Sequence, residues 1–148
     1  MKSLRRPRTW LEHDDEPTMQ IYTLRALTSA PVVLVELATP LDELRTLLVE
    51  RRVPALAVVD DDRALAGIVT RTDVLAASDA ARPTARDVMS SYVIALPASA
   101  TVENAAALMA HEGIGQVVVV GKDGELLGMV SALDIARHCA VVAGYLAA

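Results

Sequence analysis

Gly67-Ile68-Val69-Thr70-Arg71-Thr72-Asp73 and Gly128-Met129-Val130-Ser131-Ala132-Leu133-Asp134 are two copies of one pattern: glycine, two apolar residues, a hydroxyl, two variable positions, then aspartate. Each copy follows a hydrophobic run and leads into a helix-forming segment, Val74-Leu75 in the first and Ile135-Ala136 in the second. The hydroxyl and the carboxylate therefore stand where a strand gives way to a helix. The first turn of a helix has N–H groups without intrahelical partners and the positive end of the helix dipole, which suits phosphate or another anion. The same spacing also resembles a capping box, although that motif prefers Glu or Gln at the acidic place. Two copies in register ask for more than a cap.

The copies lie 61 residues apart, and that shift superimposes one half of the chain on the other without a gap. Arg25 falls on Arg86, Ser29 on Ser90, Val32 on Val93, Leu47 on Leu108, Asp62 on Asp123 and Leu65 on Leu126. One supersecondary unit has been duplicated. A unit of this length that occurs only twice predicts a pseudo-symmetric pair sharing one core rather than a solenoid or a propeller.

Hydrophobic periodicity places the elements. A β-branched run predicts a strand over 32–35, and Thr39-Pro40 then starts a helix with proline at its first helical position. Leu41, Leu44, Leu47 and Leu48 follow at helical spacing. Residues 55–59 form an unbroken apolar strand and 65–70 its antiparallel return across a short polar turn. A helix follows from Val74. The second half repeats the order, with strands over 92–96, 116–120 and 126–131, a helix over 101–111 and a closing helix from about Leu133. The continuous apolar strands require cover on both faces, with helices on one side and a twin sheet on the other.

The ordered set resembles the tandem CBS-domain module, also called a Bateman module. Besides the two glycine-to-aspartate motifs, the resemblance rests on Ala85-Arg86-Asp87-Val88-Met89-Ser90, on the segment from Thr101 to Met109, and on Gly113-Ile114 leading into Val117-Val118-Val119-Val120. It covers about 23–138. The expected fold is α/β (α+β): two pseudo-symmetric β-α-β-β-α repeats packed as one module. The chain divides into an arm at 1–22, a first repeat at 23–80, a linker at 81–85, a second repeat at 86–140 and a helix end at 141–148.

Composition sets limits. Hydrophobic residues make up 53% of the 148, yet aromatics only 3%, with no Phe, so the core must be built from Val, Leu, Ile, Ala and Met. A stacking platform for single-stranded nucleic acid cannot be assembled from so few rings. The net charge of −5 also argues against general nucleic-acid binding, and requires that an anionic ligand be held by local cations. No apolar stretch reaches the length of a membrane span; 135–148 is short and carries Arg137 and His138. Cys139 is the lone cysteine, so no internal disulfide is expected. The basic start of the arm (Lys2, Arg5, Arg6, Arg8) leads to Trp10 and an acidic run rather than to the apolar core of a signal peptide. Both features fit a reducing, cytoplasmic setting. The arm is expected to be mobile, or pinned by Trp10 to a partner subunit.

The resemblance implies a cleft between the repeats for an adenosine-containing ligand such as AMP, ADP, ATP, S-adenosylmethionine or NAD, with no obligatory cofactor. It implies that Asp73 or Asp134 holds the ribose diol and that Thr70 or Ser131 lies near phosphate, with Thr72 as an extra hydroxyl in the first copy. A carboxylate accepts from a vicinal diol and repels phosphate, so the aspartate orients the ligand. By the same resemblance the base rests on Val32 and Val53-Pro54-Ala55 in a first site, and on Val93 and Ile114-Gly115-Gln116 in a second. Phosphate charge falls to Arg71, Arg25, Arg86, Lys122 or a partner's side chain.

Nothing in the sequence supplies a nucleophile elbow, a P-loop or a paired catalytic histidine, so a non-catalytic module is expected. The resemblance further implies a homodimer. With no effector domain attached, the output lies in an effector protein of unknown identity. The alternative is a ligand-free scaffold for dimerisation or protein interaction, with the motif residues acting as caps.

Overall fold

The computed structural model describes residues 21–28 and 31–148. The expected arm lies outside the described residues except for Ile21 and Tyr22. The first repeat contains β1 (Leu34–Glu36), α1 (Leu41–Glu50), β2 (Ala55–Val59), β3 (Leu65–Thr70) and α2 (Arg71–Ala76). A one-turn helix α3 (Ala85–Val88) precedes the second repeat, formed by β4 (Ala95–Pro97), α4 (Val102–Glu112), β5 (Gln116–Val120), β6 (Leu126–Ser131) and α5 (Ala132–Val142). Each repeat builds a three-stranded sheet in the order of the chain, its first pair parallel and its second antiparallel. The duplication extends to irregularities: the ladder slips at Val58/Val59 in one sheet and at Val119/Val120 in the other.

The four hairpin strands have the bounds that their apolar runs predict; the central β2 is covered on both faces, with all five residues buried, whereas the edge strand β6 leaves Leu127 exposed. On one face, Leu56, Val58 and Val69 pack beneath Leu41, Leu44 and Leu48 of α1. Val117, Val119 and Val130 pack likewise with Val102, Ala105 and Met109 of α4. The opposite face is also closed, since Ala57 and Val118 are fully buried, and two clefts are each lined from the two sheets at once. The sheets therefore meet face to face.

The edges depart from expectation. β1 and β4 begin and end later than 32–35 and 92–96, since each three-residue strand pairs with only the last part of its neighbour, Ala57–Val59 or Val118–Val120. Pro97 is tolerated there because β4 is an edge strand. Pro40 is the N-cap of α1 with extended backbone rather than its first helical residue; its carbonyl accepts from Leu44 N–H. The helices expected from Val74 and Leu133 start earlier, at Arg71 and Ala132, because Thr70 and Ser131 cap them.

One feature of the packing has no trace in the periodicity. Leu24, in a 3₁₀ turn (Leu24–Leu27) ahead of the first repeat, is buried in the core of the second, with Leu24 N–H bonded to Ala100 O at 2.9 Å. Reciprocally, Ala85 at the head of α3 is buried in the core of the first repeat, and Ile68 and Ser90 exchange backbone bonds of 3.0 and 2.9 Å. The core of each repeat thus takes up the short lead segment that precedes the other repeat in sequence. The division at 81–85 does not anticipate this exchange.

The motif glycines are where the exchanged segments cross. A Cβ on Gly67 would lie 2.5 Å from Ser90 O, and one on Gly128 would lie 2.8 Å from Thr28 Cβ. Both glycines are required by close approach and not by an unusual φ.

Candidate functional site: the motif cleft between the repeats

Both motifs form complete capping boxes. Thr70 N–H and Oγ1–H donate to Asp73 Oδ2 at 2.7 and 2.9 Å, and Asp73 N–H donates back to Thr70 Oγ1 at 3.3 Å. In the second copy the corresponding distances are 2.8, 2.8 and 3.1 Å between Ser131 and Asp134. Aspartate serves where glutamate is usual, and each cap contributes on the order of 1 kcal/mol.

These bonds commit both hydroxyls within the caps. A hydroxyl has one proton, and those of Thr70 and Ser131 are already given to carboxylate. At α5, Ala132 N–H is also taken, by Gly115 O at 2.9 Å, as are the N–H groups of Ser131 and Asp134. The start of α5 is therefore largely satisfied from within, and phosphate has to be met by side-chain cations. Asp134 keeps one acceptor: its Oδ2 serves the cap, while Oδ1 has no partner among the described residues.

Asp134 lines a cleft of about 510 Å³ between the repeats. The first repeat contributes Val32, Val53, Pro54 and Ala55, and the second contributes Gly115, Gln116 and Ser131. Residues expected in two separate sites thus share one, because the face-to-face sheets bring the start of β2 opposite the Ser131 motif. Arg71 is on this cleft, whereas Thr70, Thr72, Asp73, Val93 and Ile114 lie outside it. Of the other cations considered for phosphate, Arg25, Arg86 and Lys122 do not line it either.

Three arginines that the sequence reading passed over do: Arg51 and Arg52 at the end of α1, and Arg137 one turn along α5 from Asp134. A signal for the first two was present, since they directly precede Val53-Pro54-Ala55. None of the cleft's four arginines makes an ion pair among the described residues. Arg52 has a φ of 53°, in the left-handed region, where the corresponding residue of the second repeat is Gly113 at 66°. Such backbone costs a non-glycine residue about 1–2 kcal/mol, more than the roughly 0.3–1 kcal/mol that a cation gains at a helix C-terminus.

Gln116 carries the cleft's other unusual atom. Its Oε1 is buried without a hydrogen-bond partner, a state that costs about 1–3 kcal/mol unless a donor arrives. A second cleft, of about 470 Å³, lies at the hairpin turns and carries Asp62, Asp123 and Glu125 beside Arg63, a poor setting for an anion. His138 packs edge-on against Tyr22, with ring centroids 4.6 Å apart.

The CBS-domain family model matches the chain twice, over residues 24–80 and 85–141. The chain belongs to the CBS-domain family and is a tandem CBS pair. Among solved structures it is similar to the CBS domain pair of protein MJ0100 in complex with 5′-methylthioadenosine and S-adenosyl-L-methionine, with a TM-score of 0.75 and 25% identity over 81% of this chain and 97% of that one. It is similar also to CBSX2 in complex with AMP, with a TM-score of 0.73 and 26% identity over 82% of this chain and 98% of that one. The inosine-5′-monophosphate dehydrogenase of Thermoplasma acidophilum is 33% identical over 97 residues, 66% of this chain. That of Korarchaeum cryptofilum is 34% identical over 104 residues, 70% of this chain. The chain spans only 19% and 21% of the lengths of these two enzymes.

Proposed function

We propose that the chain is a non-catalytic regulatory module that binds an adenine nucleotide or other adenosyl ligand in the motif cleft and passes its occupancy to a partner protein. The observation that carries this reading is a pair of acceptors on one cleft, the buried and unpartnered Gln116 Oε1 and the carboxylate oxygen of Asp134 that the cap does not use. An adenosine brings donors for both kinds of acceptor, an exocyclic amine on the base and a vicinal diol on the ribose. The AMP and S-adenosyl-L-methionine held by two similar CBS pairs support the same ligand class. The cleft spans both repeats, so a ligand that binds two inter-repeat arrangements unequally shifts their populations. The working unit is a cytoplasmic homodimer that presents this change to its effector.

A scaffold with an empty cleft is the second reading, favoured by capping boxes that close fully without a ligand. The diol separates the two. For the parent chain, replacing AMP by its 2′,3′-dideoxy analogue is expected to weaken binding about tenfold or more, the worth of a hydrogen bond to a charged group. Asp134→Asn keeps an oxygen for the cap but loses the charge. It should bind AMP as weakly as the parent binds the analogue while unfolding at nearly the parent temperature. Equal affinity of the parent for both compounds in calorimetric titration sinks the diol assignment.

A further inference from the structure

We infer that the motif cleft is built for a nucleotide with two or more phosphates, and that each chain holds one such ligand. This rests on the adenosyl reading above and goes further in naming charge and stoichiometry. Arg51, Arg52, Arg71 and Arg137 line the cleft together with a single carboxylate, that of Asp134. All four are without ion pairs among the described residues, in a chain whose net charge is −5. The general field repels an anion, so the cluster is a local exception and not part of a basic surface. Guanidinium matches phosphate oxygens through paired N–H donors, and four such groups exceed what one terminal phosphate can engage. A di- or triphosphate gives them partners. S-adenosylmethionine offers them one carboxylate but adds a sulfonium and an ammonium among them, for a net positive charge, and methylthioadenosine offers them no anion.

Backbone geometry at Arg52 supplies a direct handle on the assignment, although Arg63 at the other cleft (φ 62°) likewise stands where the second repeat has Gly124 (φ 78°). Arg52 occupies a left-handed position, φ 53°, that the second repeat fills with Gly113 at φ 66°. Glycine is the residue that this backbone favours, and the arginine that stands here instead lines the cleft.

The duplication decides stoichiometry. The strand registers keep the 61-residue shift throughout, Ala55 opposite Thr70 and Gln116 opposite Ser131. At the pseudo-equivalent positions around the Thr70 motif, Glu112, Gly113 and Ala76 stand in place of Arg51, Arg52 and Arg137. The two sides of the module are alike in fold and unlike in charge. A polyanion has a cationic seat on one side and a carboxylate on the other.

The test is calorimetric titration of the full chain with adenosine, AMP, ADP, ATP, S-adenosylmethionine and inorganic tripolyphosphate, at low and high salt. Affinity is expected to rise about tenfold or more from AMP to ATP, to fall with salt, and to saturate at one ATP per chain. S-adenosylmethionine should bind more weakly than AMP. Arg52→Gly relieves the left-handed strain, so it should unfold no earlier than the parent. It should nevertheless bind ATP about tenfold more weakly, with adenosine unaffected. Tight S-adenosylmethionine or adenosine binding without any gain from added phosphates overturns the inference and leaves the adenosyl reading standing. So does saturation at two ATP per chain, or ATP affinity unmoved by Arg52→Gly. Tripolyphosphate binding as tightly as ATP, with adenosine not binding at all, brings down both.

Discussion

Leu24→Ala is expected to cost about 2–5 kcal/mol of stability, and the loss should appear in the half of the molecule to which Leu24 does not belong by sequence. The side chain is fully buried with Val102, Ala105 and Val117 of the second repeat. Its backbone is tied there as well, through Leu24 N–H to Ala100 O and Arg25 N–H to Ala98 O. Removing the isobutyl group leaves a void that the stiff Val-rich wall of β5 closes poorly, since β-branched side chains have few rotamers with which to fill it. Thermal denaturation should show a fall in midpoint on the order of 10 °C. Hydrogen exchange should show earlier loss of protection in β5 and β6 than in β2 and β3. The reverse order, or a loss below about 1 kcal/mol, contradicts the exchange of lead segments.

Gly67→Ala is the second large effect. The new methyl would lie 2.5 Å from Ser90 O and 2.9 Å from Met89 Sδ. The methionine can swing aside, but the carbonyl is backbone and is held by its bond to Ile68 N–H. Relief therefore requires parting β3 from the segment after α3, at about 1–3 kcal/mol, the usual range for overpacking a tight interior. Gly115→Ala is the control: an added Cβ there meets nothing within 4 Å, and its φ is not positive. Its unfolding midpoint should stay close to the parent's. If both variants unfold together with the parent, the crossing at Gly67 is looser than the geometry states.

The sequence was most legible in the hairpin strands, above all in β2, whose five residues are all buried. Residues 55–59, 65–70, 116–120 and 126–131 announce themselves as mainly apolar runs, and their bounds agree with β2, β3, β5 and β6. The short strands β1 and β4 were harder, because three residues such as Leu34–Glu36 carry too little pattern to fix a register. The exchange of lead segments could not be read at all. Leu24 falls on Ala85 under the same shift that relates the repeats, so either segment suits either core locally, and only the assembled tertiary contacts choose.

Legibility of the cleft followed a different rule. The carboxylate, the hydroxyl and the Val53-Pro54-Ala55 and Gly115-Gln116 segments stood out because motif and repeat mark them. Arg51, Arg52 and Arg137 did not, since an arginine at a helix end or on a polar face looks like ordinary solvated charge until the fold places it beside a cavity. The internal pairing of the hydroxyls was hidden for a related reason. A sequence shows that Ser131 has a proton to give, but not that Asp134 already receives it.

The central claim is that the cleft where the two sheets meet holds an adenosine-bearing ligand. Thermal denaturation with adenosyl compounds and their guanosine counterparts tests it most directly. At about 100 times its dissociation constant, an adenine nucleotide should stabilise the chain by about 2.7 kcal/mol, a rise in midpoint on the order of 5–10 °C, with the guanine counterpart giving much less at equal concentration. A midpoint that no adenosyl compound moves, or that guanine and adenine nucleotides raise alike, contradicts it.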